Sequence, residues 1–274
     1  MRASTPTPTA RMARWARAAI LIGCAASWGS ASALSTFTID AGRTSPVVFG
    51  TPFTADNLLG GTYSAVTLSG ASFSEIGSLE IAGAQLGGAT FTPGGLNGNG
   101  INRNSGLFIE YTGTGNLAPG GSAAGAELGS YTTFDYTLYG YVGPGEFRFS
   151  GDAPVAITSN RVALATGTLA RGAAPTPSTG GNAFSPSDAY LSFVPTERAL
   201  TSNFFAAPVP FYDLAIASFA ATEAQVESFD GGFRVRQGTG SISFAGAAPE
   251  PETWALLLAG LGATALARRR RSAA

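Results

Sequence analysis

Thr133-Phe134-Asp135-Tyr136-Thr137-Leu138-Tyr139-Gly140-Tyr141 changes character at every step. In an extended chain Phe134, Tyr136 and Leu138 share one face, and Asp135 and Thr137 the other, which is the period of two expected of a strand with one packed and one wet side. The same alternation recurs where Phe147 and Phe149 flank Arg148, and again in Phe233-Arg234-Val235-Arg236. Further strand-like runs lie at Ser35–Asp40, Thr62–Ser69, Leu79–Ala84, Leu107–Thr112, Thr132–Val142, Arg161–Leu169, Leu191–Val194 and Val209–Phe219, separated by turn residues. Tyr212–Thr222 fits helix or strand equally. One-sided polarity of this kind belongs to antiparallel sheets. The expected fold is therefore all-β, an antiparallel β-sandwich or jelly-roll-like body. Gly-rich stretches at Pro93–Gly100, Ala118–Gly125 and Ala173–Gly181 are read as loops between the runs.

Composition narrows the chemistry. Charged residues make up 12 % of the chain, about half the usual share, while 18 Phe and 8 Tyr supply core area. Residues 34–248 carry eight Arg against 15 carboxylates, a net charge of −7. Such a body has no basic face for phosphates, so no nucleic-acid partner is expected. There is no His and no Lys in the chain. This excludes His acid–base catalysis, His-ligated metals, Schiff-base lysines and the phosphate-loop lysine. The one Cys, Cys24, lies near the N-terminus, which leaves residues 34–248 without a thiol or a disulfide. No cofactor and no metal are expected.

The two ends read as addresses. Arg11, Arg14 and Arg17 precede an apolar run, Ala18–Trp28, and then Ala31-Ser32-Ala33. A basic region, an apolar region and a small-x-small site predict a signal peptide over residues 1–33, cut by signal peptidase after Ala33, with Ala31 and Ala33 as the cleavage determinants. Leu21-Ile22-Gly23-Cys24 leaves a lipoprotein signal, lipidated at Cys24, as the alternative. At the other end stand Pro249-Glu250-Pro251, an uncharged stretch Thr253–Ala267, and Arg268-Arg269-Arg270-Arg271. As a helix the 15-residue stretch would span only about 22 Å, short of a hydrocarbon layer of about 30 Å. It is marginal as a permanent span, and the Arg cluster acts as a cytoplasmic stop.

Those three parts, in that order, resemble the PEP-CTERM sorting domain (residues 249–271: motif 249–251, helix 253–267, Arg cluster 268–271). The resemblance implies an exosortase as partner, transient inner-membrane insertion through the C-terminal helix, and export to the cell surface or extracellular matrix. Residues 34–248 would then be a β-rich extracellular domain. Within it, Phe37-Thr38-Ile39-Asp40, Pro52–Tyr63, Pro208–Ala215 and Gly232-Phe233-Arg234-Val235 are similar to segments of flocculation-associated PEP-CTERM proteins. That likeness implies a non-enzymatic matrix protein promoting floc or biofilm formation with exopolysaccharide or with neighbouring cell surfaces.

Two alternatives stay open. One is a carbohydrate-binding module with an aromatic platform; among Tyr131, Tyr136, Tyr139 and Tyr141, alternation puts Tyr139 and Tyr141 opposite Tyr136 and Leu138, and makes them the candidate sugar contacts. The other is a carboxylate-based glycoside hydrolase using Glu75 with Glu80, or Asp135 with Glu146. Gly113-Thr114-Gly115-Asn116-Leu117-Ala118 matches a dinucleotide fingerprint, but Pro119-Gly120-Gly121 stands where a helix is needed; it is read as a turn. Asp56-Asn57, Asp152, Asp188 and Asp230-Gly231 lack an ordered calcium-loop pattern and are read as turn makers.

Overall fold

The computed structural model describes residues 35–40, 51–94, 96, 105–117, 128–171 and 182–245. The expected signal peptide with Cys24, Ala31 and Ala33, the expected sorting segment from Pro249 to Arg271, and the loop stretches 97–100, 118–125 and 173–181 lie outside the described residues. Along the chain run β1 (Phe37–Ile39), β2 (Phe53–Ala55), β3 (Asn57–Ser69), β4 (Ser72–Leu86), β5 (Ala89–Phe91), β6 (Ser105–Leu117), β7 (Leu128–Val142), β8 (Gly145–Ser150) and β9 (Ala153–Thr158). Then come β10 (Val162–Arg171), β11 (Asn182–Ser192), β12 (Val194–Pro195), a short helix α1 (Glu197–Thr201), β13 (Phe205–Ala207), β14 (Leu214–Thr222), β15 (Val226–Phe229) and β16 (Gly232–Ala245).

Eight long strands pair antiparallel in the order β11-β14-β16-β3-β4-β6-β7-β10, and β10 pairs back to β11. The body is thus an antiparallel β structure, as the alternation predicts, and it closes on itself as a barrel. Period-two patterning is the same for a sandwich and a barrel; the β10–β11 pairing makes the difference. Register shifts at Leu59/Gly60, Thr114/Gly115, Ala163/Ala165 and Arg236/Gly238 bend the strands enough to close the ring.

The inward face carries the core: Val66, Phe73, Leu79, Ile109, Tyr111, Tyr131, Phe134, Tyr136, Leu138, Phe233 and Ile242 are buried in one cluster. The outward face carries Ser74, Thr112, Thr114, Thr133, Asp135, Thr166 and Thr168, all exposed. This apolar-in, polar-out arrangement is the reverse of a transmembrane barrel. One end is plugged by a small sheet, β13-β1-β2, and its aromatic neighbours. Phe37 and Phe193 each meet Phe244 edge-on at 4.8 Å, and Phe193 meets Phe205 at 5.0 Å.

An eight-stranded barrel has room for side chains and little else. Here large rings enter because glycine stands directly opposite them across the ladder. Gly77 faces Tyr111 and Gly115 faces Phe73; Gly113 faces Phe134; Gly167 faces Tyr136; Gly240 faces Phe219. A Cβ at Gly77 would collide with the Tyr111 ring, and one at Gly167 with both the Ser192 carbonyl and the Tyr136 ring. Gly113-Thr114-Gly115, read from sequence as a turn, therefore lies within β6: its glycines clear space for rings rather than turning the chain. Val209–Phe219 also starts later than expected. Strand β14 begins at Leu214, after a segment with cis bonds before Pro208 and Pro210.

Gly167→Ala is expected to destabilise the protein by about 3 kcal/mol, since backbone must move to admit the methyl, lowering Tm by about 9 °C. Gly61→Ala, where the nearest atom to a new Cβ is the Gly238 carbonyl at 3.8 Å, should shift stability by less than about 1 kcal/mol. Thermal unfolding followed by circular dichroism checks the contrast; equal shifts would refute the ring-on-glycine account.

Candidate functional site

The outward faces of β4, β6, β7 and β10 form the floor of a groove of about 730 Å³. Cross-strand register sets its rows. Ile76, Thr112, Asp135 and Thr168 stand side by side, and so do Ser78, Glu110, Thr137, Thr166 and Val194. Pro154 and Ala156 of β9 form one wall, Ser192 and Val194 the other. On the floor the Arg161 guanidinium donates to Glu110 Oε1 at 2.9 Å.

The wall exists because the β8–β9 hairpin is folded against the barrel. Phe108 and Tyr141 project outward from β6 and β7 and would leave an apolar patch. Phe147 covers them, with ring centroids 5.5 Å from Phe108 and 6.3 Å from Tyr141. Phe149 reaches Tyr63 at 6.2 Å and lies under the guanidinium groups of Arg234 and Arg236. Arg234 also donates to Asp152 Oδ1 and to the Gly151 carbonyl, both at 3.1 Å, in the hairpin turn. The Arg234 hydrogen bond, reinforced by Arg236, holds the Glu227 carboxyl below its ordinary range.

The candidate sugar contacts are corrected by this packing. Tyr141 is 2 % exposed, sealed under the hairpin, and presents no ring to solvent. Tyr139 lines the groove, but Phe108 stacks on its ring at 5.1 Å and Arg161 lies over it at 4.8 Å. Its face is already occupied, so the expected aromatic platform is not formed by this pair. Tyr131 and Tyr136 are in the barrel core.

The carboxylate pairs separate likewise. Glu75 and Glu80 are an odd number of residues apart on β4, so Glu75 points into the barrel and Glu80 out of it. Asp135 lies on the groove floor, whereas Glu146 is on β8, ion-paired to Arg148 at 3.0 Å. Among the acids read as turn makers, Asp152 is bound to Arg234, and Asp230 is exposed beside Gly231 at φ 80° in the β15–β16 turn. Asp56 Oδ2 accepts from the Gly87 amide at 2.6 Å, while Asp56 Oδ1 and Asn57 Oδ1 are buried without hydrogen-bond partners among the described residues. Among the described residues no three acidic, His or Cys side chains gather for a metal.

Glu75, offered from the sequence as one of a carboxylate pair, is instead buried in the barrel interior. Inside the barrel it accepts hydrogen bonds from Tyr131 at 2.5 Å and Tyr111 at 3.2 Å. Burial pushes its pKa up, partly offset by the hydrogen bonds from Tyr131, Ser64 and Tyr111. Burial, then the neighbouring Glu75 charge, raises both phenols as well. The cue was in the spacing: Phe73, Glu75, Gly77, Leu79 and Ile81 share one face of the strand.

Residues 247–271 match the PEP-CTERM protein-sorting motif. This span contains Pro249, Glu250, Pro251 and the cluster Arg268, Arg269, Arg270 and Arg271, read from the sequence as a stop-transfer signal. It is a C-terminal exosortase-sorting signal, so the chain is an exported, cell-surface-directed protein with an exosortase as its processing partner. No curated protein and no solved structure matches the chain.

The raised Glu75 pKa has a defined pH signature. Unfolded, the carboxyl loses its proton near 4.5; folded, it does so at higher pH. Its contribution to stability is complete below the unfolded value and declines as pH rises through the folded one. Glu75→Gln should remove that decline, so that wild type loses stability relative to the variant as the pH is raised from below 4.5. Denaturant unfolding across this range tests it; a constant offset between the two proteins would show that the carboxyl is not held protonated.

Proposed function

We propose that this exosortase-sorted protein is a non-enzymatic component of the extracellular matrix that promotes floc or biofilm formation together with exopolysaccharide. The observation that carries the reading is the sorting motif at residues 247–271, joined to a body whose outer surface is rich in hydroxyls and acids. Net charge of −7 over residues 34–248 suits a hydrated, non-sticky surface between cells. The likeness of Phe37–Asp40, Pro52–Tyr63, Pro208–Ala215 and Gly232–Val235 to flocculation-associated sequences points the same way.

A non-catalytic role is supported by where the acids lie. Glu75 and Glu80 occupy opposite faces of one strand, and Glu146 is held by Arg148. A glycoside hydrolase needs two carboxyl groups facing each other across the bond to be cut, which makes the hydrolase reading the weaker one. Carbohydrate binding is the second reading, favoured by the hydroxyl-lined groove rather than by aromatic stacking.

In the native host, replacing Pro249-Glu250-Pro251 with alanines should change both mass and location. Wild type is expected to begin at Leu34, lack the C-terminal helix, and be found outside the cell. The alanine variant should keep the Arg tail and stay in the inner membrane, and flocs should be lost with it. Intact-mass spectrometry of membrane and extracellular fractions reads the first outcome, and sedimentation of aggregated cells the second. Normal flocs in a strain lacking the protein would overturn the matrix role.

A further inference from the structure

The groove beside the β8–β9 hairpin is more than a by-product of packing. Its floor is a grid, two side-chain rows crossing β4, β6, β7 and β10. Adjacent strands lie about 4.8 Å apart, which makes the floor roughly 14 Å across. Four threonines, Thr112, Thr137, Thr166 and Thr168, line it, and each hydroxyl can both donate and accept. Between them Asp135 is exposed and makes no ion pair among the described residues. A carboxylate so placed accepts from two neighbouring hydroxyls at once.

Ser78 adds an independent sign. It lines the groove on the row of Glu110 and Thr137, is 2 % exposed, and its Oγ has no hydrogen-bond partner among the described residues. A buried hydroxyl left unsatisfied is costly, and a hydroxyl-bearing occupant would relieve it. The rims offer apolar contact instead: Ile76 is 44 % and Val194 57 % exposed. Charge narrows the class further. Arg161 is committed to Glu110, and Asp135 leaves the floor net negative, which disfavours a polyanion.

We propose that this groove binds an uncharged, hydroxyl-rich saccharide chain, recognised by hydrogen bonds to Asp135, Thr112, Thr137, Thr166 and Thr168 rather than by ring stacking. The proposal rests on the matrix reading above and names the chemistry of its ligand.

Affinity electrophoresis of the full chain tests it, in gels containing dextran, hydroxyethylcellulose or galactomannan as neutral polymers, alginate as polyanion and chitosan oligosaccharide as polycation. Wild type should be retarded by at least one neutral polymer and not by alginate. Asp135→Ala, at an exposed position, should keep its Tm and bind about tenfold more weakly, the loss of a charge-assisted hydrogen bond. Thr166→Val should weaken binding about threefold, and Ser74→Ala, on the same face outside the groove, should leave it unchanged. Equal retardation of wild type and Asp135→Ala overturns the site, as does retardation only by alginate or only by chitosan. Absence of any neutral-polymer binding in a protein whose deletion still abolishes flocs would sink the groove proposal and leave the matrix reading standing.

Discussion

The barrel depends on one steric bargain, a ring laid across a glycine on the neighbouring strand. Tyr111 on Gly77, Phe73 on Gly115, Phe134 on Gly113, Tyr136 on Gly167 and Phe219 on Gly240 are all direct register partners. At Gly77, Gly115 and Gly167 a Cβ would collide with the facing ring, so each of these pairs lets a large apolar group enter a lumen too narrow for two ordinary side chains, whereas at Gly240 the nearest neighbours are Leu79 and Thr62. The pairs also fix register. A slip by one residue would set rings against side chains and turn the buried face outward. Local strand preference is weakened by so many glycines, and the aromatic partner restores it through packing.

Filling the lumen this way moves any recognition to the outside. The interior is occupied by the rings and by Glu75 with its phenol and hydroxyl partners, so the concave surface of note lies on the flank. That concavity follows from a second hydrophobic cluster, Phe108, Tyr141 and Phe147, which holds a hairpin against the barrel wall. The Arg234 contacts at Asp152 and Gly151 secure the hairpin's turn. Core packing, outer packing and groove are thus successive consequences of where aromatics could be accommodated.

Much of this was legible in the sequence. Alternation in residues 133–141 placed Phe134, Tyr136 and Leu138 in the core and Asp135 at the surface, as found. Closure was not legible, because the same alternation serves any two-faced sheet. Gly113-Thr114-Gly115 misled because glycine is read first as a turn residue, while here it supplies room. Tyr141 was indistinguishable from an exposed aromatic until the short β8–β9 hairpin was seen to cover it; a single strand's period says which face a residue occupies, not whether a second layer lies on top. Glu75 shows the converse, a charged side chain whose spacing with Phe73, Leu79 and Ile81 outweighed its polarity. The floor of the groove was hidden for another reason: its residues come from four strands, and only register brings them together.

The plugged end has a consequence for orientation. Phe37 near the start of the body and Phe244 at its finish are in ring contact, so the chain enters and leaves the barrel at the same pole. The sorting motif begins at residue 247, two residues after β16 ends at Ala245. The apolar stretch of that motif starts later, at Thr253, so the seven residues 246–252 allow a reach of up to about 25 Å at about 3.5 Å per extended residue. A tether attached after Ala245 therefore acts on the body at the plugged pole, and leaves the flank with its groove clear of the point of attachment.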